Sequence, residues 1–345
     1  MAKVGIPRAL LYYQYYPMWR AFFRELGVEV VVSPPTSKAV LAAVSAAVVA
    51  ETCLPAKVFC GHVIKMAAQV DFIFIPSIRS IEPQVYNCSK FLGLPDLVRA
   101  TIPDCPPVID IELDVNKGAR RVEQEVAQLG HHFTRSPFRI KGAWQAALLA
   151  EQEYRRVMAQ GLTPPEAIRA LLGEEEHLEG ETGQLGRSRA DSAAADVTVA
   201  VIGHPYNIYD RYINHSLIGR LRQLGARVVA AETAPPGALD AGTARLVGKP
   251  YWTFEDEVVG AAGHYLYAGV DGVVCLVCFG CGPDSLMVDV IQRAAKQRGS
   301  VPLVTLTIDE HTGEAGLVTR LEAFIDMVRR RRRAARRGQV IGDRE

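Results

Sequence analysis

Cysteine is scarce in this 345-residue chain, and the 7 that occur are an odd number. With no secretory leader visible ahead of them, a disulfide framework does not fit, which leaves reduced thiols or metal ligands. A charge excess is lacking too. The formal net charge is +1, so nothing draws the chain as a whole to nucleic acid or to an anionic membrane. The longest apolar run, over residues 39–50, is too short and too rich in alanine to span a bilayer. Because Met1-Ala2-Lys3 leads straight into a strand-like segment, the cytoplasm is the expected compartment. Two catalytic signatures are also missing. The segment 242–249 has five residues between Gly242 and Gly248, and Pro250 follows Lys249, so it is not a phosphate loop and no ATP site is expected. No Gly-X-Ser-X-Gly elbow occurs, which removes the usual α/β-hydrolase. What is present, 49% hydrophobic and 22% charged residues, is the composition of a globular protein with room for two domains.

The chain repeats itself. Lys3-Val4-Gly5-Ile6-Pro7, an aromatic-rich helix and Leu26-Gly27-Val28 are echoed by Val201-Ile202-Gly203-His204-Pro205, an amphipathic helix and Leu224-Gly225-Ala226. Gly5 stands as far from Gly27 as Gly203 does from Gly225. Each copy reads as strand, turn, helix, Leu-Gly stop and strand, a βαβ unit. Further on, Val70-Asp71 and Val270-Asp271 each open an apolar run of the kind found in parallel strands covered on both faces. The expected fold is α/β, with two tandem Rossmann-like (flavodoxin-like) domains of mostly parallel sheet. The first spans 1–115 and the second 196–313. Between them come a helical segment over 116–173 and a mobile, acidic then Gly/Ser/Ala-rich linker over 174–195. A C-terminal helix over 314–333 and a polar tail over 334–345 complete the chain. The arginines at 329–333 read as a solvated helix end.

Cys53-Leu54-Pro55 and Cys281-Gly282-Pro283 share one setting, a cysteine just before a proline that opens a helix. There the unpaired N–H groups and the dipole stabilise a thiolate or a bound anion. In parallel α/β sheets ligands gather where strands end and loops lead into helices, and Cys281 and Cys88 both fall in such loops. Three thiolates, from Cys53, Cys88 and Cys281, can hold a [4Fe–4S] cluster with one iron open. Cys278 is a possible further ligand, as is Cys60, while Cys275 reads as a small buried hydrophobe. Cys105 reads as a reduced thiol in a loop. Zinc is the alternative metal, although the one tight pair, Cys275 and Cys278, is embedded in a strand. His204, Glu310 and His311 follow predicted strands and are the candidate proton-transfer groups; each can equally be a structural cap.

Six ordered motifs carry a family resemblance: Gly5-Ile6-Pro7-Arg8-Ala9-Leu10, Cys53-Leu54-Pro55-Ala56-Lys57, Lys90-Phe91-Leu92-Gly93-Leu94-Pro95-Asp96, Gly203-His204-Pro205-Tyr206-Asn207, Phe279-Gly280-Cys281-Gly282-Pro283-Asp284-Ser285 and Asp309-Glu310-His311-Thr312-Gly313-Glu314-Ala315. The chain resembles the acyl-CoA dehydratase activase-related proteins, relatives of the 2-hydroxyacyl-CoA dehydratase and benzoyl-CoA reductase subunits. The resemblance implies a [4Fe–4S] redox component with Cys53, Cys88 and Cys281 as ligands. It would take an electron from a separate ATP-dependent activase and act on a substrate such as a CoA thioester. A double-cubane cluster is the variant seen in some relatives. The implied partners are that activase and a second dehydratase-like subunit or a second copy of the chain. The alternatives are a non-catalytic cluster-bearing or scaffold partner, and a structural zinc protein.

Overall fold

The computed structural model describes residues 1–173 and 195–342; the linker expected at 174–195 lies outside them except for its last residue. The chain divides into two compact units. One comprises Met1–Gly180 with the short segment Pro250–Glu255, the other Glu181–Lys249 with Asp256–Glu345.

Each unit is built on a four-stranded, all-parallel sheet. In the first, β1 (Lys3–Ile6), β2 (Glu29–Val32), β3 (Phe72–Ser80) and β4 (Val108–Asp114) lie in the order β2-β1-β3-β4. In the second, β5 (Val197–Ile202), β6 (Ala226–Val229), β7 (Gly272–Cys278) and β8 (Leu303–Ile308) repeat that order as β6-β5-β7-β8. The repeat extends to the register, because Val4 pairs with both Val30 and Phe72 while Val199 pairs with both Val228 and Gly272. The fold is therefore α/β with two tandem domains, as the duplicated sequence pattern predicts. In this strand order the connections diverge between the first and third strands of each sheet, and ligands bind at the carboxyl ends there.

Helices cover the faces for the reasons their sequences give. The helix Tyr12–Glu25 buries Trp19, Phe22 and Phe23, whose rings interlock with Phe74 of β3 and with Phe133. The long helix Pro137–Met158 packs along it, and the Tyr154 hydroxyl donates to the Tyr13 carbonyl at 2.6 Å. Thr163 and Glu166 form the capping box that opens the helix Pro164–Leu172. The helical residues 116–173 thus belong to the first unit. So does the segment Pro250–Glu255, whose Thr253 N–H donates to the Tyr86 carbonyl at 3.0 Å. The last helix runs Glu314–Gly342, past Arg333 where the sequence pattern ends it, because Ala334-Ala335-Arg336-Arg337 are all good helix formers.

Candidate functional site

The most developed polar constellation lies at the carboxyl ends of β5 and β7, the point of divergence in the second sheet. After Ile202 the chain turns at Gly203. A Cβ there would stand 2.5 Å from the Leu276 carbonyl, so only glycine lets the loop press this closely on β7. His204 follows as the N-cap of the four-residue helix Pro205–Ile208. Asn214 pins the loop from beneath, its amide donating to the Asn207 carbonyl at 2.8 Å and to the Ile208 carbonyl at 2.6 Å. The Asp210 carboxylate accepts from the N–H groups of Tyr212 and Ile213.

His204 is 6% exposed and held from both sides. Its Nδ1 lies 3.2 Å from Glu257 Oε2, its Nε2 lies 3.2 Å from Asp284 Oδ1, and its ring stacks on Tyr206. Burial by itself would push the imidazole pKa down. The charges of Asp284 and Glu257 outweigh it and raise the pKa to about 10. At neutral pH the ring is therefore an imidazolium, its Nδ1–H donating to Glu257 and its Nε2 side in an ion pair with Asp284. Asp284 sits in the first turn of the helix Gly282–Arg298, where the helix N-terminus favours a carboxylate. Glu257 comes from a π-turn, Asp256–Gly260, that leads into the helix Ala261–Ala268. A third carboxyl group, Glu232, follows β6 and accepts the Tyr209 hydroxyl at 2.7 Å. Burial raises its pKa to about 7, against the Tyr209 hydrogen bond and with help from the charge of Glu257. Glu232 Oε1 and Asn207 Nδ2 are buried with no hydrogen-bond partner. This centre is a fixed cation between fixed anions, beside one carboxyl group that exchanges its proton near neutrality.

These shifts predict a two-step fall of stability with pH. A raised pKa means that the folded state favours the protonated form. The His204 contribution is then complete below its ordinary value of 6.5 and is lost as the pH climbs toward 10. The Glu232 contribution is complete below 4.5 and is lost between there and about 7. Thermal melting across pH 4–10 is expected to show both declines. His204→Gln should flatten the upper one and Glu232→Gln the lower; an upper decline that persists in His204→Gln would refute the assignment.

The other residues singled out by the sequence fall as follows. Cys53, Cys88 and Cys281 are each the N-cap of a helix and half-buried, the first two in the first unit and Cys281 in the second. Cys278 is buried on β7, where its thiol donates to Asn207 Oδ1 at 3.1 Å. Burial pushes the thiols of Cys60 to about 11 and Cys275 to about 12, so both stay protonated. Glu310 and His311 are exposed on the turn after the edge strand β8, whereas His204 is buried. There Asp309 caps the turn, accepting from the His311 N–H and the Thr312 hydroxyl. The sequence reading missed the roles of Glu257, Glu232 and Asp284. Asp284 lay within a quoted motif, and Glu232 carried the faint signal of an acid just past an apolar strand.

A family model, the CoA enzyme activase uncharacterised domain (DUF2229), matches residues 3–233. The chain belongs to this family. The match takes in all four strands of the first sheet together with β5 and β6, and so includes His204 and Glu232. No curated protein matches the chain. Membership of an activase family overturns the expected iron–sulfur redox component. Among the described residues, moreover, no group of three or more His, Cys, Asp or Glu side chains is placed to hold a metal ion. No such group among the described residues supports the cluster-bearing scaffold or the structural zinc protein. An activase-family domain points to a partner within a dehydratase system. Of the thiols outside the expected triad, Cys60 and Cys275 are protonated buried groups and Cys278 donates to Asn207. Among the described residues of this activase-family chain, no helix is long and apolar enough to cross a membrane.

Proposed function

We propose that the protein is an activase-type component of a CoA-enzyme system, that its partner is a CoA-thioester dehydratase, and that the second unit takes a small ligand at the His204 centre. The observation that carries this reading is an imidazolium clamped between two carboxylates at the place where such sheets take ligands. A ring with a pKa of about 10 does not shuttle protons at neutral pH. It works as a permanent charge that fixes Glu257 and Asp284. Glu232 is the group whose proton occupancy a ligand at Tyr209 would change. This is the chemistry of a binding module whose state depends on its ligand.

The test is reconstitution. A CoA-thioester dehydratase and its activator are assayed with and without this protein, and the time to full activity is recorded. The protein should shorten that time at least threefold, and Glu232→Gln should remove most of the gain while melting within a few degrees of wild type. An identical time course with and without the protein would overturn the proposal.

A further inference from the structure

The first unit holds a buried cation with nothing opposite it. Arg8 follows β1 in the loop at the point of divergence of the first sheet and is 7% exposed. Its backbone N–H donates to Ser33 Oγ at 2.8 Å, which fixes the loop to the end of β2. Its guanidinium lies over the Tyr12 ring, 5.5 Å from the centroid, and its Nε has no hydrogen-bond partner. Among the described residues, no carboxylate pairs with it. A second orphan adjoins it. His62 is fully buried on the helix Leu54–Met66, with Nε2 2.9 Å from Thr36 Oγ1 and Nδ1 without a partner. Burial and the charge of Arg8 hold the His62 pKa down at about 3, so the ring is neutral. When the Thr36 hydroxyl donates to Nε2, the proton sits on Nδ1, a buried donor with no acceptor.

An uncompensated buried charge is costly, and folded proteins keep one where something else supplies the counter-charge. We infer that Arg8 and His62 form a site for a small oxyanion, a phosphate or a carboxylate group, at the carboxyl end of the first sheet. The guanidinium provides a fork of donors that matches either group, and the neutral imidazole adds one N–H in the tautomer that carries its proton on Nδ1. The inference stands apart from the reading of the second unit, since none of its residues belongs to the His204 centre.

The experiment titrates the full-length protein with inorganic phosphate and, in a second arm, with acetate. Potassium chloride at matched ionic strength is the control, and both calorimetry and thermal melting are recorded. Saturable binding and a rise in melting temperature are expected with at least one oxyanion, and the arm that responds names the source. Arg8→Gln should weaken that binding at least tenfold, whereas Arg8→Lys, which keeps a point charge without the fork, should retain part of it. Arg8→Met gives a readout that a merely structural arginine would not. It should melt at least as high as wild type in chloride, because it removes an unpaired buried charge, and should lose the oxyanion increment. Three outcomes would overturn the inference: no response to either oxyanion beyond chloride, equal binding by Arg8→Gln, or a marked drop in the melting temperature of Arg8→Met in chloride.

Discussion

Asp284→Ala is expected to lower the unfolding free energy by about 3–5 kcal/mol at pH 7, the range for removing one partner of a buried ion pair. Asp284 is 2% exposed and faces His204 Nε2 at 3.2 Å. Two opposing terms decide the result. Desolvation penalises every charge in the cluster, so the intact arrangement is worth less than the Coulomb attraction alone suggests. Once Asp284 is gone the penalty on His204 remains and half of its compensation does not, so the loss is large. The histidine must then either stay charged against Glu257 alone or surrender its proton. The decline of stability with pH, which starts at the ordinary value of 6.5, should therefore be smaller and end at a lower pH than in wild type. Denaturant unfolding at pH 6 and pH 9 checks both points. Asp284→Asn separates charge from shape, and should reproduce most of the loss if charge is the cause. A cost below about 1 kcal/mol would mean that the pair is solvated and behaves as a surface salt bridge.

The two sheets and the duplication were legible because they rest on local signals. The Leu-Gly stops at Gly27 and Gly225 and the uninterrupted apolar strands survive any tertiary context, and both glycines adopt the left-handed conformation such stops require. The helix-capping places of Cys53 and Cys281 were legible for the same reason, since Pro55 and Pro283 announce the helix starts beside them, whereas Cys88 was legible only as a loop residue. What those thiols do was not. Thiolate chemistry depends on what stands opposite, and burial with protonation at Cys60 and Cys275 is a property of packing. His204 was found by its position after a strand, but its clamp joins residues 204, 257 and 284, whose meeting is set by the fold and not by spacing. Glu257 was hidden most deeply. It is delivered by a π-turn, and a five-residue departure from helical geometry leaves no periodic trace in the sequence.

Gly242→Ala is the second large effect, and it shows how that π-turn is held. Residues 242–249 look like a failed phosphate loop, yet Gly242 lies inside the helix Ala238–Leu246 at a place where backbone touches backbone. A Cβ on Gly242 would meet the Gly260 carbonyl oxygen at 2.0 Å and the His264 nitrogen at 2.8 Å. The fit is reciprocal. A Cβ on Gly263 would meet the Gly242 carbonyl oxygen at 2.2 Å, and one on Gly260 the Leu239 carbonyl oxygen at 2.5 Å. No rotamer change relieves a collision with main chain, so the helices must part. The cost is expected at the upper end for overpacking, about 3 kcal/mol. Gly260 closes the turn that carries Glu257, so the displacement should also draw the carboxylate from His204 and weaken the alkaline decline of stability. Gly142→Ala is the matched control. It too is a glycine inside a helix, but a Cβ there meets nothing within 4 Å. Helix propensity should then act alone, stabilising by about 0.5–1 kcal/mol. If the two substitutions shift the unfolding midpoint alike, the glycine contact does not hold Glu257 in place. If they shift it in opposite directions, and only Gly242→Ala alters the pH profile, then His204 owes one of its two carboxylates to a pair of helices that meet through glycine.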